Sequence, residues 1–221
     1  MHTLSVVSDF VCPWCFIGKA RLDAALETLS DDQRPTVRYL PFKLNPDMPA
    51  EGMARPDYRL QKFGSLERSD QLDLQVRIAA EQSGVVIDHG KMERTPNTVK
   101  AHMVMAMAST LNGETALKLA DGLFAAYFTN GVDIGEDEAL MELAAEAGLP
   151  KEITEAALAD DELRSVTESL ATGLAQQGIN GVPTLLLDQH FLISGAAQTD
   201  DLKRIIPEAI SILKDAKTQA H

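Results

Sequence analysis

The segment that decides the fold is Asp9-Phe10-Val11-Cys12-Pro13-Trp14-Cys15, which holds both cysteines of the chain. An apolar, partly β-branched run at residues 4–8 precedes it and predicts a β-strand. After it, leucine and alanine recur at helical spacing between residues 22 and 29 and predict an α-helix. Cys12 is therefore expected where a strand passes into a helix. Pro13 suits the first helical turn, because its missing N–H is not needed there.

The two cysteines are predicted to form a redox-active pair rather than a structural disulfide. A disulfide stabilises most when it closes a long loop, and the loop between Cys12 and Cys15 is very short. At a helix N-terminus the first sulfur faces unpaired backbone N–H groups and the positive end of the helix dipole, which favour thiolate over thiol. Because thiolates attack disulfides, Cys12 is the candidate nucleophile and Cys15, one turn further in, the candidate resolving thiol.

Two other roles for the cysteine pair are possible in principle. A zinc site needs about four ligands, but the chain has no second cysteine pair. Its five histidines show no ligand spacing; they are His2, His89, His102, His190 and His221. Alternatively, the thiols could be buried and act as small apolar side chains. The strand–Cys-x-x-Cys–helix context favours redox chemistry and no metal.

A second motif, Gly181-Val182-Pro183-Thr184, leads into an apolar run and predicts the start of another strand. Cis peptide bonds occur essentially at proline and are typical of tight turns. Beside a redox pair, a cis bond before Pro183 would expose the Val182 backbone for strand-like pairing with a substrate peptide. It would also keep an N–H away from the sulfurs. A simple strand start is the alternative.

Three residues next to the cysteines are candidates for supporting roles. Asp9 could take or give a proton during thiol–disulfide exchange, or could act as a capping carboxylate near the helix start. Trp14 and Phe10 could line an apolar substrate surface, or could simply pack.

The composition excludes several classes of partner. The 221 residues include 20 basic and 33 acidic side chains, for a net charge of −13. This acidity argues against nucleic acid, which needs a basic surface, and against anionic membranes. No apolar run approaches the ~20 residues of a membrane span, and the N-terminus lacks the basic region of a secretory signal peptide. We therefore expect no nucleic-acid or membrane partner and a cytoplasmic location.

Strand patterns occur near both ends of the chain and helical patterns between them. Residues 36–42 predict a second strand, and 184–187 and 191–193 predict an antiparallel pair. Residues 43–68 are rich in proline and glycine and predict a long irregular connection, with a short helix near 58–63; residues 69–177 are helical in period. The simplest packing is an α/β fold with one mixed sheet built from both ends and a helical block inserted between them.

The segment 9–15 with Gly18, together with the motif at 181–184, resembles the DsbA branch of the thioredoxin superfamily, in particular its cytoplasmic FrnE-like members. Residues 143–149 and 191–196 are similar to the same family, so the resemblance covers nearly the whole chain. It implies a thioredoxin fold, in which a mixed β-sheet is flanked by helices, with a large all-helical insertion. The implied domains are a thioredoxin-like domain at 1–45 and 178–221 and an insertion domain at 46–177.

The same resemblance implies a protein-disulfide oxidoreductase in which Cys12 is the exposed nucleophile, Cys15 the resolving thiol and Pro183 the cis proline. Periplasmic members resemble Cys-Pro-His-Cys, whose histidine can stabilise the thiolate; Trp14 cannot carry charge, so we expect a less oxidising pair. The helix after Pro96 often faces the active site in this family, which makes Asn97 and His102 candidates to line the cleft. A core or surface histidine is the alternative.

Two further functions stay open at this level. Related 2-hydroxychromene-2-carboxylate isomerases and kappa-class glutathione transferases bind glutathione and carry serine where this chain has Cys12, so a glutathione-dependent isomerase or transferase is the main alternative. A non-catalytic, chaperone-like module is the third. We expect protein or small-molecule disulfides and thiols as substrates and no cofactor beyond the redox-active disulfide. Glutathione is left open as a co-substrate, and the protein is expected to be a monomer or a homodimer.

Overall fold

A computed structural model describes residues 2–219 of the chain. Within them, six strands and nine helices follow one another. In chain order they are β1 (Thr3–Ser8), α1 (Pro13–Leu26), β2 (Thr36–Pro41), β3 (Met53–Ala54), α2 (Arg55–Phe63), α3 (Leu66–Gln82), β4 (Arg94–Thr95), α4 (Val99–Leu111), α5 (Gly113–Phe128), α6 (Asp137–Ala147), α7 (Lys151–Leu158), α8 (Asp161–Gln176), β5 (Thr184–Leu187), β6 (His190–Ser194) and α9 (Thr199–Gln219).

The main sheet has the order β2-β1-β5-β6 and is built from both ends of the chain, as the sequence predicts. Strand β1 lies between a parallel partner and an antiparallel one: Val6 is opposite Tyr39 of β2 and Leu185 of β5. A parallel neighbour requires a crossover, and α1 supplies it. Because β1 is central and almost entirely buried, the segment 9–15 that follows it begins in the interior of the molecule.

Helices α2–α8 lie in sequence between β2 and β5, which confirms the predicted thioredoxin fold with a helical insertion. The insertion shares its core with the sheet layer. Phe16 of α1 stacks on Phe124 and Phe128 of α5, with ring centroids 5.5 and 5.8 Å apart. Phe10 packs against the same Phe124 at 5.2 Å. The division into domains at 1–45 with 178–221 and at 46–177 stays a prediction.

Two local expectations were wrong. The segment 43–68 is more regular than predicted, since it holds β3, α2 and the start of α3, while 83–98 interrupts the predicted helical block. The cause is a tertiary contact that no local pattern records: Met53 of β3 pairs with Thr95 of β4. No helix within residues 2–219 combines the length and apolarity needed to cross a membrane.

Candidate active site

Cys12 is the residue that precedes the first turn of α1, with an extended backbone (φ −92°, ψ 112°) and Pro13 directly after it. Its carbonyl accepts hydrogen bonds from the N–H groups of Cys15 (3.0 Å) and Phe16 (3.3 Å), which starts the helix. Its own N–H donates to the carbonyl of Asp9 at 3.0 Å, which shapes the turn from β1. The sulfur of Cys12 is thereby held at the positive end of a 14-residue helix.

The two thiols differ in their access to solvent. Both are free and both residues are buried, with 3% of Cys12 and 2% of Cys15 exposed. The expectation of an exposed Cys12 was therefore wrong, because the cysteine pair lies at the buried end of the central strand. Cys12 nevertheless lines a cavity of about 350 Å³, whereas Cys15 does not. The cavity is thus the route by which a substrate sulfur can reach Cys12.

Burial raises the pKa of the Cys15 thiol well above its usual value, and the hydrogen bond and charge of Cys12 raise it further. The nearby Ser8 side chain and Asp9 backbone lower the pKa of this thiol and partly oppose the rise. The neighbouring charge disappears once the Cys12 sulfur is bonded to another sulfur. Cys15 can then lose its proton more easily than before, which suits a thiol that reacts second.

The loop at 181–183 closes the other side of the Cys12 sulfur. The Val182–Pro183 peptide bond is cis, and the carbonyl oxygen of Val182 lies 3.6 Å from Cys12 Sγ. This approach depends on Gly18 of α1, where an added Cβ would lie only 2.8 Å from Cγ of Pro183. A residue without a Cβ is therefore required at position 18 for α1 to pack this closely against Pro183.

The cavity has two walls with different chemistry. The near wall is formed by the segment around Cys12 and by the cis-proline loop: Val11, Cys12, Pro13, Trp14, Gly181 and Val182. It brings together four of the residues that the sequence predicts for the site, Cys12, Pro13, Trp14 and Val182, and Pro183 lies directly behind it. Trp14 is 39% exposed.

The three predicted cleft residues do not line this cavity. Phe10 is fully buried and packs against Tyr39, His102 and Phe124. Asn97 bonds to the carbonyl of Met48 at 2.8 Å and caps the start of α4, and it lines a different cavity. His102 is buried behind Phe10. For His102 the cause is that the first turn of α4 is buried in the core, where Val99, Ala101 and His102 are all covered.

Asp9 also lies in the core rather than in the cavity. One carboxylate oxygen accepts a hydrogen bond from the backbone N–H of Leu44 at 2.7 Å. The other has no hydrogen-bond donor among residues 2–219 and lies 3.6 Å from Nε2 of His102, a nitrogen that is 3.2 Å from the carbonyl of Phe42. Asp9 thus ties the end of β1 to the segment after β2, and a role in proton transfer stays a prediction.

The far wall was missed by sequence reasoning. One face of α2, part of α3 and the loop after it form this wall, whose charged and aromatic residues are Arg55, Tyr58, Arg59, Lys62, Phe63, Asp73 and His89. Asp73 accepts hydrogen bonds from Arg55 (2.6 Å) and Arg59 (2.5 Å). The signal was present in the spacing of Arg55, Arg59 and Lys62, because residues at i, i+4 and i+7 share a helix face.

His89 adds no charge to the far wall at neutral pH. Burial lowers its pKa to about 4; Asp73 opposes this shift, and Arg55, Arg59 and Arg77 add to it. The wall therefore holds three cationic side chains against the single carboxylate of Asp73. Among residues 2–219, no group of three or more His, Cys, Asp or Glu side chains is arranged to hold a metal ion.

Comparison with known proteins shows what this chain is similar to. The family of DSBA-like thioredoxin domains matches residues 3–207. The solved structure of the probable DsbA oxidoreductase SCO1869 from Streptomyces coelicolor superposes with a TM-score of 0.83 at 25% identity, over 96% of this chain and 91% of that chain.

Two other solved structures share the fold at lower identity. One is 2-hydroxychromene-2-carboxylate isomerase, with a TM-score of 0.67, 16% identity and 99% coverage of both chains. The other is the cytosolic disulfide reductase DsbM from Pseudomonas aeruginosa, solved with GSH, with a TM-score of 0.64 and 21% identity over 95% of this chain and 99% of that chain. At these identities the likeness shows the fold alone.

Proposed function

Because the chain belongs to the family of DSBA-like thioredoxin domains, we propose that it is a cofactor-free enzyme that exchanges disulfides through Cys12 and Cys15. Cys12 is the nucleophile and Cys15 the resolving thiol. The observation that carries this proposal is the unequal placement of the two sulfurs. Cys12 lines the cavity at the start of α1, and Cys15 lies behind it with a raised pKa.

In the first step the Cys12 thiolate attacks one sulfur of a substrate disulfide. A Cys12–substrate disulfide forms, the substrate S–S bond breaks, and the other half leaves as a thiolate that takes up a proton. The Val182 carbonyl lies 3.6 Å from Cys12 Sγ, and Val182 lines the same cavity, so a substrate chain bound there can align along this backbone segment.

In the second step Cys15 loses its proton and attacks Cys12 Sγ. The Cys12–Cys15 disulfide forms and the second substrate half leaves as a thiolate, which is protonated in turn. Over both steps the substrate gains two electrons and two protons, and the enzyme dithiol is oxidised. A thiol such as glutathione, or a dithiol, returns the enzyme to its reduced form by the reverse exchange. The direction of net flow depends on the reduction potential of the pair.

Single substitutions of the two cysteines test this mechanism. We expect Cys15→Ser to accumulate a mixed disulfide with substrate, visible by mass spectrometry, because nothing resolves it. We expect Cys12→Ser to reduce insulin no faster than dithiothreitol alone. Each variant is the matched control for the other, since both make the same change three residues apart. Full insulin reduction by Cys12→Ser would contradict the proposal.

The glutathione-dependent isomerase or transferase remains the competing function. Its chemistry would use the glutathione thiol and would not need Cys15. Turnover of an aromatic substrate with glutathione that survives Cys15→Ser would therefore favour it over disulfide exchange. The chaperone-like alternative predicts that aggregation of a client protein is suppressed equally well when both cysteines are replaced.

A cytoplasmic location is part of the same proposal. DsbM, similar in fold, is a cytosolic disulfide reductase by name, and in a reducing compartment a catalytic disulfide is transient. Cell fractionation should recover the protein with a cytoplasmic marker. Recovery with a secreted or periplasmic marker would contradict this part of the proposal and leave the exchange chemistry intact.

A further inference from the structure

The far wall of the cavity carries positive charge in a strongly acidic protein. Arg55, Arg59 and Lys62 line the same cavity as Cys12, in a chain whose net charge is −13. Such a chain repels anions overall, so an anionic substrate needs a local cationic surface to reach the sulfur. The three side chains form one face of α2.

The ion pairs within the far wall leave part of this charge unneutralised. Asp73 bonds to both arginines, and Arg59 also donates to the hydroxyl and the carbonyl of Ser69, so this cluster holds α2 against α3. A single carboxylate balances only one of the two guanidinium groups. Lys62 has no carboxylate partner among residues 2–219; its ammonium donates to the neutral side chain of Asn45 at 2.6 Å.

The size of the cavity suits a small molecule. Its volume of about 350 Å³ is near the lower end of the range for ligand pockets. Apolar side chains, among them Phe63, Val76 and Met92, supply much of the cavity surface. A small disulfide can occupy this space with its sulfur at the near wall and its polar end at the far wall.

We propose that Arg55 and Lys62 form a subsite that binds the carboxylate of a low-molecular-weight disulfide while its sulfur is presented to Cys12. This inference rests on the proposed function for its chemical step, which is the Cys12 attack described above. The carboxylate is bound and is not consumed. Substrate selection thus depends on the charge that α2 contributes to the cavity lined by Cys12.

The test compares three small disulfides of similar size and different charge: 3,3′-dithiodipropionate, 2-hydroxyethyl disulfide and cystamine. Reduced protein is mixed with each in stopped flow, and its oxidation is followed through the fluorescence of Trp14, the only tryptophan. Each rate constant is divided by that of dithiothreitol with the same disulfide, which removes differences in intrinsic reactivity. We expect the order anionic, neutral, cationic, with the preference for the anion weakening as salt is added.

Lys62→Gln is the decisive variant, because Lys62 is exposed and its loss does not disturb the Asp73 cluster. We expect it to lower the ratio of anionic to neutral rate by about fivefold, as for one partly screened charge pair. Lys118→Gln is the matched control: it removes the same charge from an exposed position of α5 outside the cavity and should leave that ratio unchanged. Arg55→Gln should act in the same direction as Lys62→Gln.

The outcomes separate this inference from the proposed function. If all three disulfides oxidise the protein with no charge preference, the subsite is wrong and the exchange mechanism stands. If none reacts, the proposed function fails. Equilibrium binding of S-methylglutathione, which cannot exchange, then still tests the subsite: saturable binding weakened by Lys62→Gln supports it, and no binding overturns it.

Discussion

The two walls of the active-site cavity differ in how the chain builds them. The near wall comes from two short motifs: the strand-to-helix turn that carries Cys12, and the cis-proline loop that carries Val182. The far wall comes from one face of α2 held against α3 by Asp73. The first carries the Cys12 sulfur, and the second carries three cationic side chains. In the proposed mechanism, reactivity and substrate choice are therefore assigned to separate parts of the fold.

The largest expected effect concerns access within the near wall. In the folded, reduced protein, iodoacetamide should alkylate Cys12 on the order of 100 times faster than Cys15. The reason is that Cys12 lines the cavity, while Cys15 is buried with a raised pKa. Peptide mass spectrometry after a timed quench measures both sites. In urea the two rates should become similar. Equal rates in the folded state would show that the cavity does not distinguish the two thiols.

A smaller effect is expected from a change in the support of the near wall. Gly18→Ala places a Cβ 2.8 Å from Pro183, so the loop must move away from Cys12. We expect the exchange rate to fall by about 10-fold or more and the free energy of unfolding to fall by about 1–3 kcal/mol. The rate is measured with 2-hydroxyethyl disulfide and the stability by urea unfolding.

The matched control for this change is Gly173→Ala in α8, where an added Cβ meets nothing within 4 Å. Because alanine favours a helix over glycine, this variant should gain about 0.5–1 kcal/mol and keep its exchange rate. A normal exchange rate in Gly18→Ala would mean that the position of the proline loop does not matter for the reaction.

The smallest expected effect concerns the far wall and pH. The pKa of His89 is about 4 in the folded protein and near 6.5 in the unfolded chain. Between these values the unfolded chain binds a proton that the folded protein does not, so this residue lowers the unfolding free energy as pH falls from about 6.5 to 4. Well above pH 6.5, His89 is neutral in both the folded and the unfolded state, and its contribution to the pH dependence of the unfolding free energy vanishes.

His89→Gln removes this contribution and provides the comparison. The difference in unfolding free energy between wild type and variant should be constant above about pH 7 and should shift in favour of the variant at lower pH. Urea unfolding from pH 4.5 to 8 measures it. A difference that does not change with pH would show that burial and the surrounding arginines do not lower the pKa of His89.

Much of the near wall follows from sequence because its causes are local. A strand pattern, two cysteines at Cys-x-x-Cys spacing and a proline at the first helical position predict that Cys12 lies between a strand and a helix, which is where the structure has it. The exposure of Cys12 was predicted wrongly, because burial at the end of β1 depends on the helices that cover the sheet. The same covering places Phe10 and His102 in the core.

The sequence by itself determined the four strands of the mixed sheet built from the two ends of the chain, the helical character of most of the segment between them, and the place of Cys12 and Cys15 between β1 and α1. These follow from periodicity and spacing over a few residues. Only the tertiary structure decided which side chains line the cavity together with Cys12. Arg55 and Lys62 lie more than 40 residues after Cys12 in the chain. They line the same cavity because α2 packs on α3 and because the pairing of β3 with β4 anchors the start of α2. A local pattern cannot record such contacts, since they depend on the packing of the whole core.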